Sequence, residues 1–342
     1  MTTLPTYTRT LDDAFVTTWY EIREDAIDNI LGATVTWNAL MGAGSFTEQV
    51  GGEIITRTIR HGEITAEQVQ KGSTVTSGEP KLETLALWQW KYTSANVQRS
   101  VFTDQKNAGP SKIKDYVGVR ITAARDGLEQ KFQSNIWNAH QTTETGIDMQ
   151  GINDLIPTTL AQSSANTYGN ITRPLTYDAA SPDTVRSPLT GNTWWGGKYF
   201  DGILASIDVD LIDDMKLLYN TLHANQAPPN LLIATQAIFE IYEGTAIDIS
   251  QIIKDETTRL ADMGFEVLRF KGKPLIWDTS MTANHVVMLN TDFIEIVYDP
   301  QLWFDMTDWK PQAFEFDRAA QILCAVNLIG TQPRRNGRMI YA

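Results

Sequence analysis

Apolar residues recur at helical spacing near the start of the chain, where Leu11, Phe15, Trp19, Ile22, Ala26 and Ile30 form one stripe ending at Gly32. Thr10 and Asp13 ahead of it make a capping-box-like pair, so the pattern predicts an amphipathic N-terminal helix. GAGSFTEQVGG (42–52) then reads as a break in regular structure and a flexible joint. EIITRTIR (53–60) and LALWQWKYTSANV (85–97) are rich in β-branched and aromatic residues and predict two strands. Between them RHGEITAEQVQKGSTVTSGEPKLE (60–83) carries turn residues but no apolar periodicity. It predicts the far end of a hairpin much longer than the usual loop of two to five residues.

From Ser111, a candidate N-cap, the period changes. Ile113, Val117, Ile121, Ala124, Leu128, Phe132 and Ile136 make one stripe, which predicts a helix of about 28 residues, roughly 42 Å long. A kink near Gly127 is the open alternative. GINDLIP (151–157) reads as a compact apolar turn, and residues 158–193 as a long polar surface excursion. After WWGGKYF (194–200) regular structure returns. Helices are predicted over 208–226, 235–244 and 248–264, and strands over 230–235, 265–270, 273–278, 285–290 and 293–298, as in a compact α/β or α+β unit. Residues 320–329 are almost continuously apolar and predict a strand buried on both faces, so the C-terminal region is core.

Composition narrows the function. The chain has 342 residues, 42% of them hydrophobic, and a formal net charge of −13. That charge argues against gripping nucleic acid over a broad face, since affinity for phosphates accumulates from Lys and Arg. Residues 50–110 hold seven basic and six acidic residues, a net of +1, so the arm is charge-mixed against an acidic remainder. The single cysteine, Cys324, excludes an intrachain disulfide and supplies no metal cage. The N-terminus has no apolar signal region, and no segment is apolar for the length of a membrane span.

No catalytic constellation emerges. The acidic run DVDLIDD (208–214) fits a first helical turn complementing the helix dipole better than a calcium loop, whose Gly and final Glu are missing. His61, His140, His223 and His285 lack zinc-site spacing, and no nucleophile elbow, phosphate loop or dinucleotide fingerprint occurs. No cofactor is expected. Trp88, Trp90 and Tyr92 alternate on one strand face, which in so acidic a chain reads as a protein interface. QPRRNGR (332–338) gathers Arg334, Arg335 and Arg338, whose guanidinium groups suit phosphate or fork-like pairing with carboxylates of a neighbouring subunit, and an acidic homo-oligomer favours the second.

The order of these elements resembles the major capsid protein of tailed double-stranded DNA phages, a fold shared with the herpesvirus capsid floor and encapsulins. The resemblance spans nearly the whole chain. It implies an α+β fold with an N-terminal arm (1–49), an extended E-loop hairpin (50–110), a peripheral domain with a spine helix (111–200), an axial α/β domain (201–294) and a return to the peripheral domain with a C-terminal strand (295–342). It implies a structural subunit, not an enzyme, that self-assembles through hexamers and pentamers into an icosahedral capsid around double-stranded DNA without recognising its sequence. A separate scaffolding protein, a portal and a decoration protein are implied partners, and the virion, assembled in the host cytoplasm, the implied location. Inter-subunit contacts are expected from Arg57, Arg60, Glu63, Glu67, Lys71, Glu79, Lys81, Trp88 and Trp90 in the hairpin, and from Arg334, Arg335 and Arg338 near the C-terminus. Crosslinking is not expected. An encapsulin-like compartment holding a cargo enzyme is the first alternative, and an acidic α/β enzyme with an unrecognised site the second.

Overall fold

The computed structural model describes residues 34–64, 66–72, 78, 80–100, 102, 116–138, 146–156, 167–174, 176–177, 185–190, 192–223, 227–248, 268–312 and 317–341. The predicted N-terminal helix, the cap at Ser111, most of the helix predicted over 248–264, and Glu79 lie outside these residues. In chain order the elements are α1 (Val35–Gly42), β1 (Phe46–Glu48), β2 (Ile54–Arg60), β3 (Glu83–Gln89), β4 (Lys91–Ser100), α2 (Tyr116–Ile136) and α3 (Ile152–Leu155). Then come β5 (Thr167–Tyr168), β6 (Ile171–Thr172), β7 (Thr176–Tyr177), β8 (Val185–Arg186), β9 (Pro188–Thr190), β10 (Lys198–Gly202), α4 (Ile207–His223), β11 (Leu231–Ala234) and α5 (Gln236–Asp248). The last are β12 (Leu268–Phe270), β13 (Lys273–Trp277), β14 (His285–Leu289), β15 (Ile294–Met306), β16 (Lys310–Pro311), β17 (Asp317–Gly330) and β18 (Gly337–Tyr341).

Among the described residues, two compact units form: a smaller one from 94–130 and 304–323, and a larger one from 34–93, 131–303 and 324–341. The larger unit is built on a seven-stranded mixed sheet in the order β12-β13-β11-β14-β18-β10-β8. Its strands β11 and β14 are buried along their whole length, which suits runs such as LLIA and HVVML that have no polar face. The C-terminal β18 lies inside this sheet, antiparallel to β14 and parallel to β10, so the expectation that the chain ends in core holds. Helix α4 buries Ile207, Leu211, Met215, Leu218 and Leu222, three to four residues apart, into a cluster shared with α5 and the sheet. Asp208 and Asp210 in its first turn and His223 in its last complement the helix dipole.

A second core in the larger unit gathers around one carboxylate. Asp278, almost fully buried, accepts hydrogen bonds from Thr36 of α1, from Gln133 of α2, from Trp137 Nε1 at 2.8 Å and from the backbone N–H of Ser280 at 2.8 Å. Trp37 stacks on Phe132 at 5.1 Å beside it, and its backbone N–H donates to Gln133. These bonds replace the water a buried charge loses.

In the smaller unit β16 pairs antiparallel with the start of β17, Arg99 lies over the Trp309 ring at 4.8 Å, and Arg125 over Phe304 at 5.3 Å. Helix α2 runs unbroken through Gly127 over 21 described residues, which answers the kink alternative. Its predicted stripe is buried at Leu128 in this unit, and at Phe132 and Ile136 in the larger one.

Three expectations are corrected. GAGSFTEQVGG is not irregular throughout: Phe46–Glu48 is a strand parallel to β15, with Phe46 opposite Ile296, because the Phe46 ring is held by Trp37 and Trp303. The predicted strand over 85–97 is two, broken at Trp90, whose indole N–H donates to the carbonyl of Gly52. The excursion from 158 is not all surface: Tyr168, Ile171 and Arg173 are buried, Tyr168 among the rings of Trp88 and Trp195.

Candidate assembly surface

The hairpin begins with seven residue pairs between β2 and β3, from Ile54 opposite Gln89 to Arg60 opposite Glu83. Alternation gives it one inward face: Ile55, Ile59, Ala86 and Trp88 are buried, while Ile54, Leu85 and Gln89 on the other face are exposed. Arg57 falls on the inward face, where its guanidinium pairs with Glu295 at 2.7 Å with both side chains three-quarters buried. The stem is therefore fixed to the body of the larger unit.

Trp88 anchors it most firmly. Its ring meets Tyr168 edge-on at 5.7 Å and lies so close over Gly169 that a Cβ there would come within 2.7 Å of it. Gly169 also has φ +58°, a left-handed conformation that costs other residues energy, and its carbonyl accepts from the Leu87 N–H. At the head of the stem the Leu82 carbonyl accepts from both His61 and Gly62, and a side chain at Gly62 would collide with the Lys81 carbonyl. Beyond it, Glu63, Ile64, Glu67, Val69, Lys71 and Lys81 are exposed.

The placement of the anticipated contact residues is thus divided. Arg60, Glu63, Glu67, Lys71 and Lys81 lie at the surface, and Arg334 is exposed. Trp88 and Trp90 are buried within the chain and present almost nothing outward; the strand breaks at Trp90, and Tyr92 alone of the three is exposed. Arg338 is fully buried in β18, where its Nη2 donates to Asn153 and burial pushes its pKa down to about 9. The three arginines of 334–338 do not act as one cluster: the turn of Pro333–Arg335 ends at Asn336, and the strand that follows turns Arg338 inward.

Sequence reading passed over Trp194. It is stacked against the His61 imidazole, centroids 4.4 Å apart and planes 8° apart, so it clasps the point where the arm leaves the stem. A cleft of about 430 Å³ opens beside it, lined by Arg57, Arg60, His61, Phe293 and Arg334. A second, of about 420 Å³, is lined by Trp194 together with Lys198, Thr221 and Arg334. The adjacent tryptophans of WWGGKYF were the available signal. One of the pair, Trp195, is core, and the other is half-buried.

Among the described residues, no three His, Cys, Asp or Glu side chains come together to hold a metal ion, and no helix is long and apolar enough to cross a membrane. His285, with its pKa lowered to about 4 by burial and by Arg338, lines neither cleft. Aromatic faces rimmed by guanidinium and ammonium groups suit recognition of an acidic protein surface.

This architecture is the phage major capsid fold. The chain is similar to the capsid protein of cyanophage A-1(L), with TM-score 0.63 and 15% identity over 93% of this chain and 95% of that one. It is similar to the capsid protein of the native GTA particle, TM-score 0.54 and 11% identity over 94% of each chain. It is also similar to the SrpI encapsulin of Synechococcus elongatus PCC 7942, TM-score 0.53 and 10% identity over 99% of this chain and 96% of that one. No protein-family model matches the sequence, and no curated protein matches it.

Proposed function

We propose that the chain is a structural subunit that assembles through hexamers and pentamers into an icosahedral capsid enclosing double-stranded DNA. The observation that carries this reading is the likeness to capsid proteins along almost the entire chain. The hairpin of 50–110 serves as the E-loop, α2 as the spine helix of a peripheral domain (111–200), residues 201–294 as the axial domain and 295–342 as the return to the peripheral domain. An anchored stem with an exposed, charge-mixed arm supports that role. Such an arm contributes backbone pairing and salt-bridge complementarity to a neighbouring copy without a core of its own, and many copies multiply weak contacts.

The net charge of −13 fits a container, because a wall that repels phosphate stores DNA without holding it. A separate scaffold, a portal and a decoration protein complete the assembly, in the host cytoplasm and then the virion. Likeness to an encapsulin over 99% of the chain supports a second reading, a compartment for a cargo enzyme. The test is electron microscopy of the expressed protein, alone and with its scaffold, beside a variant lacking 62–79. The intact chain forms closed shells of regular diameter containing DNA, and the deletion leaves a folded subunit that builds none. Shells that enclose a protein other than the scaffold establish the compartment instead, and a chain that stays monomeric throughout overturns both.

A further inference from the structure

Helix α4 ends in two chemically opposite surfaces. At its C-terminal end Thr221 lines the cleft that holds Trp194, Lys198 and Arg334. Lys198 is half-buried, and its pKa is lowered first by that burial and then by the charge of Arg334. Its ammonium group donates to Ser187 at 2.7 Å. Among the described residues no carboxylate pairs with Lys198 or with Arg334, so two like charges are held together beside an aromatic face without a counter-charge. Neighbouring cations unsupported by an acid raise the energy of the free subunit, and an arriving anion relieves it.

At the other end of the helix the surface carries acid and exposed apolar groups. Asp208 and Asp213 are exposed, Asp210 is half-buried, and Val209 between them is 82% exposed, with Ile203 and Leu204 exposed just before. Asp213 pairs with Lys216, while Asp208 and Asp210 have no ion-pair partner among the described residues. A helix of 17 residues separates the two surfaces by about 25 Å.

We infer that the cleft of Trp194, Lys198 and Arg334 receives the Asp208–Asp210 end of α4 from a second copy of this chain, in a head-to-tail contact. Asp208 and Asp210 neutralise the two cations, and Val209 covers the indole. Because the two patches differ and lie at opposite ends of one rigid helix, each copy offers one patch forward and one back, and the contact repeats from copy to copy until a rotation closes the ring. The exposed hairpin arm is the weaker candidate for the cleft, since Lys71 and Lys81 offset Glu63 and Glu67 within it. The assignment deepens the shell-subunit reading and rests on it for the closed ring, while the pairwise contact is measurable apart from any shell.

The test is disulfide trapping of the full-length chain carrying Val209→Cys and Thr221→Cys, which leaves both cations of the cleft in place. The native Cys324 is buried and stays out of the reaction. Under mild oxidation the double variant is expected to give a ladder of linked multimers on a denaturing gel, and each single variant none. A ladder without shells supports the contact and counts against the shell reading; shells without a ladder overturn the contact and leave the shell reading standing. Dimers from Val209→Cys alone indicate a two-fold contact and overturn it as well. Charge reversal checks the chemistry: Arg334→Glu with Lys198→Glu should reduce trapping between Val209→Cys and Thr221→Cys at least tenfold, and adding Asp208→Lys with Asp210→Lys should restore it. Absence of rescue, or quenching of Trp194 by a single-stranded oligonucleotide with no trapping at all, assigns the cleft elsewhere and overturns the inference.

Discussion

The indole of Trp88 and the bare Cα of Gly169 share one space: the ring occupies the place that a Cβ at residue 169 would need. A residue of β3 and a turn some eighty positions later in sequence thereby fix the direction in which the hairpin leaves the body. Gly169→Ala must displace the ring and also adopt a left-handed φ, at a combined cost of about 3 kcal/mol. The expected result is a lower melting temperature and weaker hydrogen-exchange protection across β2 and β3, whereas an unchanged melt would show that the ring moves freely.

The C-terminal strand is tied to α4 by the hydroxyl of Tyr341, which donates to Oδ2 of buried Asp214 at 2.9 Å. Tyr341→Phe keeps the ring and removes a bond to a charged acceptor, so urea denaturation should show a loss of about 1.5–3 kcal/mol. Truncation before Gly337 also removes the partner of both β14 and β10, and should yield no soluble folded chain.

Asp278 joins α1, the end of α2 and the turn after β13 through four donors. Asp278→Ala orphans buried donors from all three and is expected to cost about 3–5 kcal/mol. Asp278→Asn keeps the shape but replaces one acceptor oxygen with a donor amide, and should fall between the alanine variant and the wild type. Equal stability of Ala and wild type in thermal denaturation would contradict the role given to this carboxylate.

Acid should weaken the fold through His285. Its pKa is about 4 in the folded chain, lowered by burial and then by Arg338, against 6.5 for the free side chain. Between those values the unfolded chain binds the proton and the folded chain does not, so stability present above pH 6.5 is lost as pH falls towards 4. The pH dependence of the denaturation midpoint tests this, and His285→Gln should flatten that stretch of the curve. A wild-type curve level from pH 7 to 4.5 would refute it.

Local chemistry determined much of what the chain builds. The spacing of Leu211, Met215, Leu218 and Leu222 makes α4, the almost continuously apolar run of β17 and the alternation of β2 make strands, and the absence of periodicity over 60–83 leaves an exposed arm, because each follows from the presence or absence of a repeat matching helix or strand geometry. Tertiary structure decided which of these residues remain at the surface. Arg57 and Arg338 read as surface charges until the body supplies Glu295 and Asn153, which lie 238 and 185 positions away along the chain. Trp88 and Trp194 are alike in sequence, yet one fills a space left by Gly169 and the other faces two clefts with His61 against it. Burial depends on what the rest of the chain brings alongside, and periodicity carries no information about that partner.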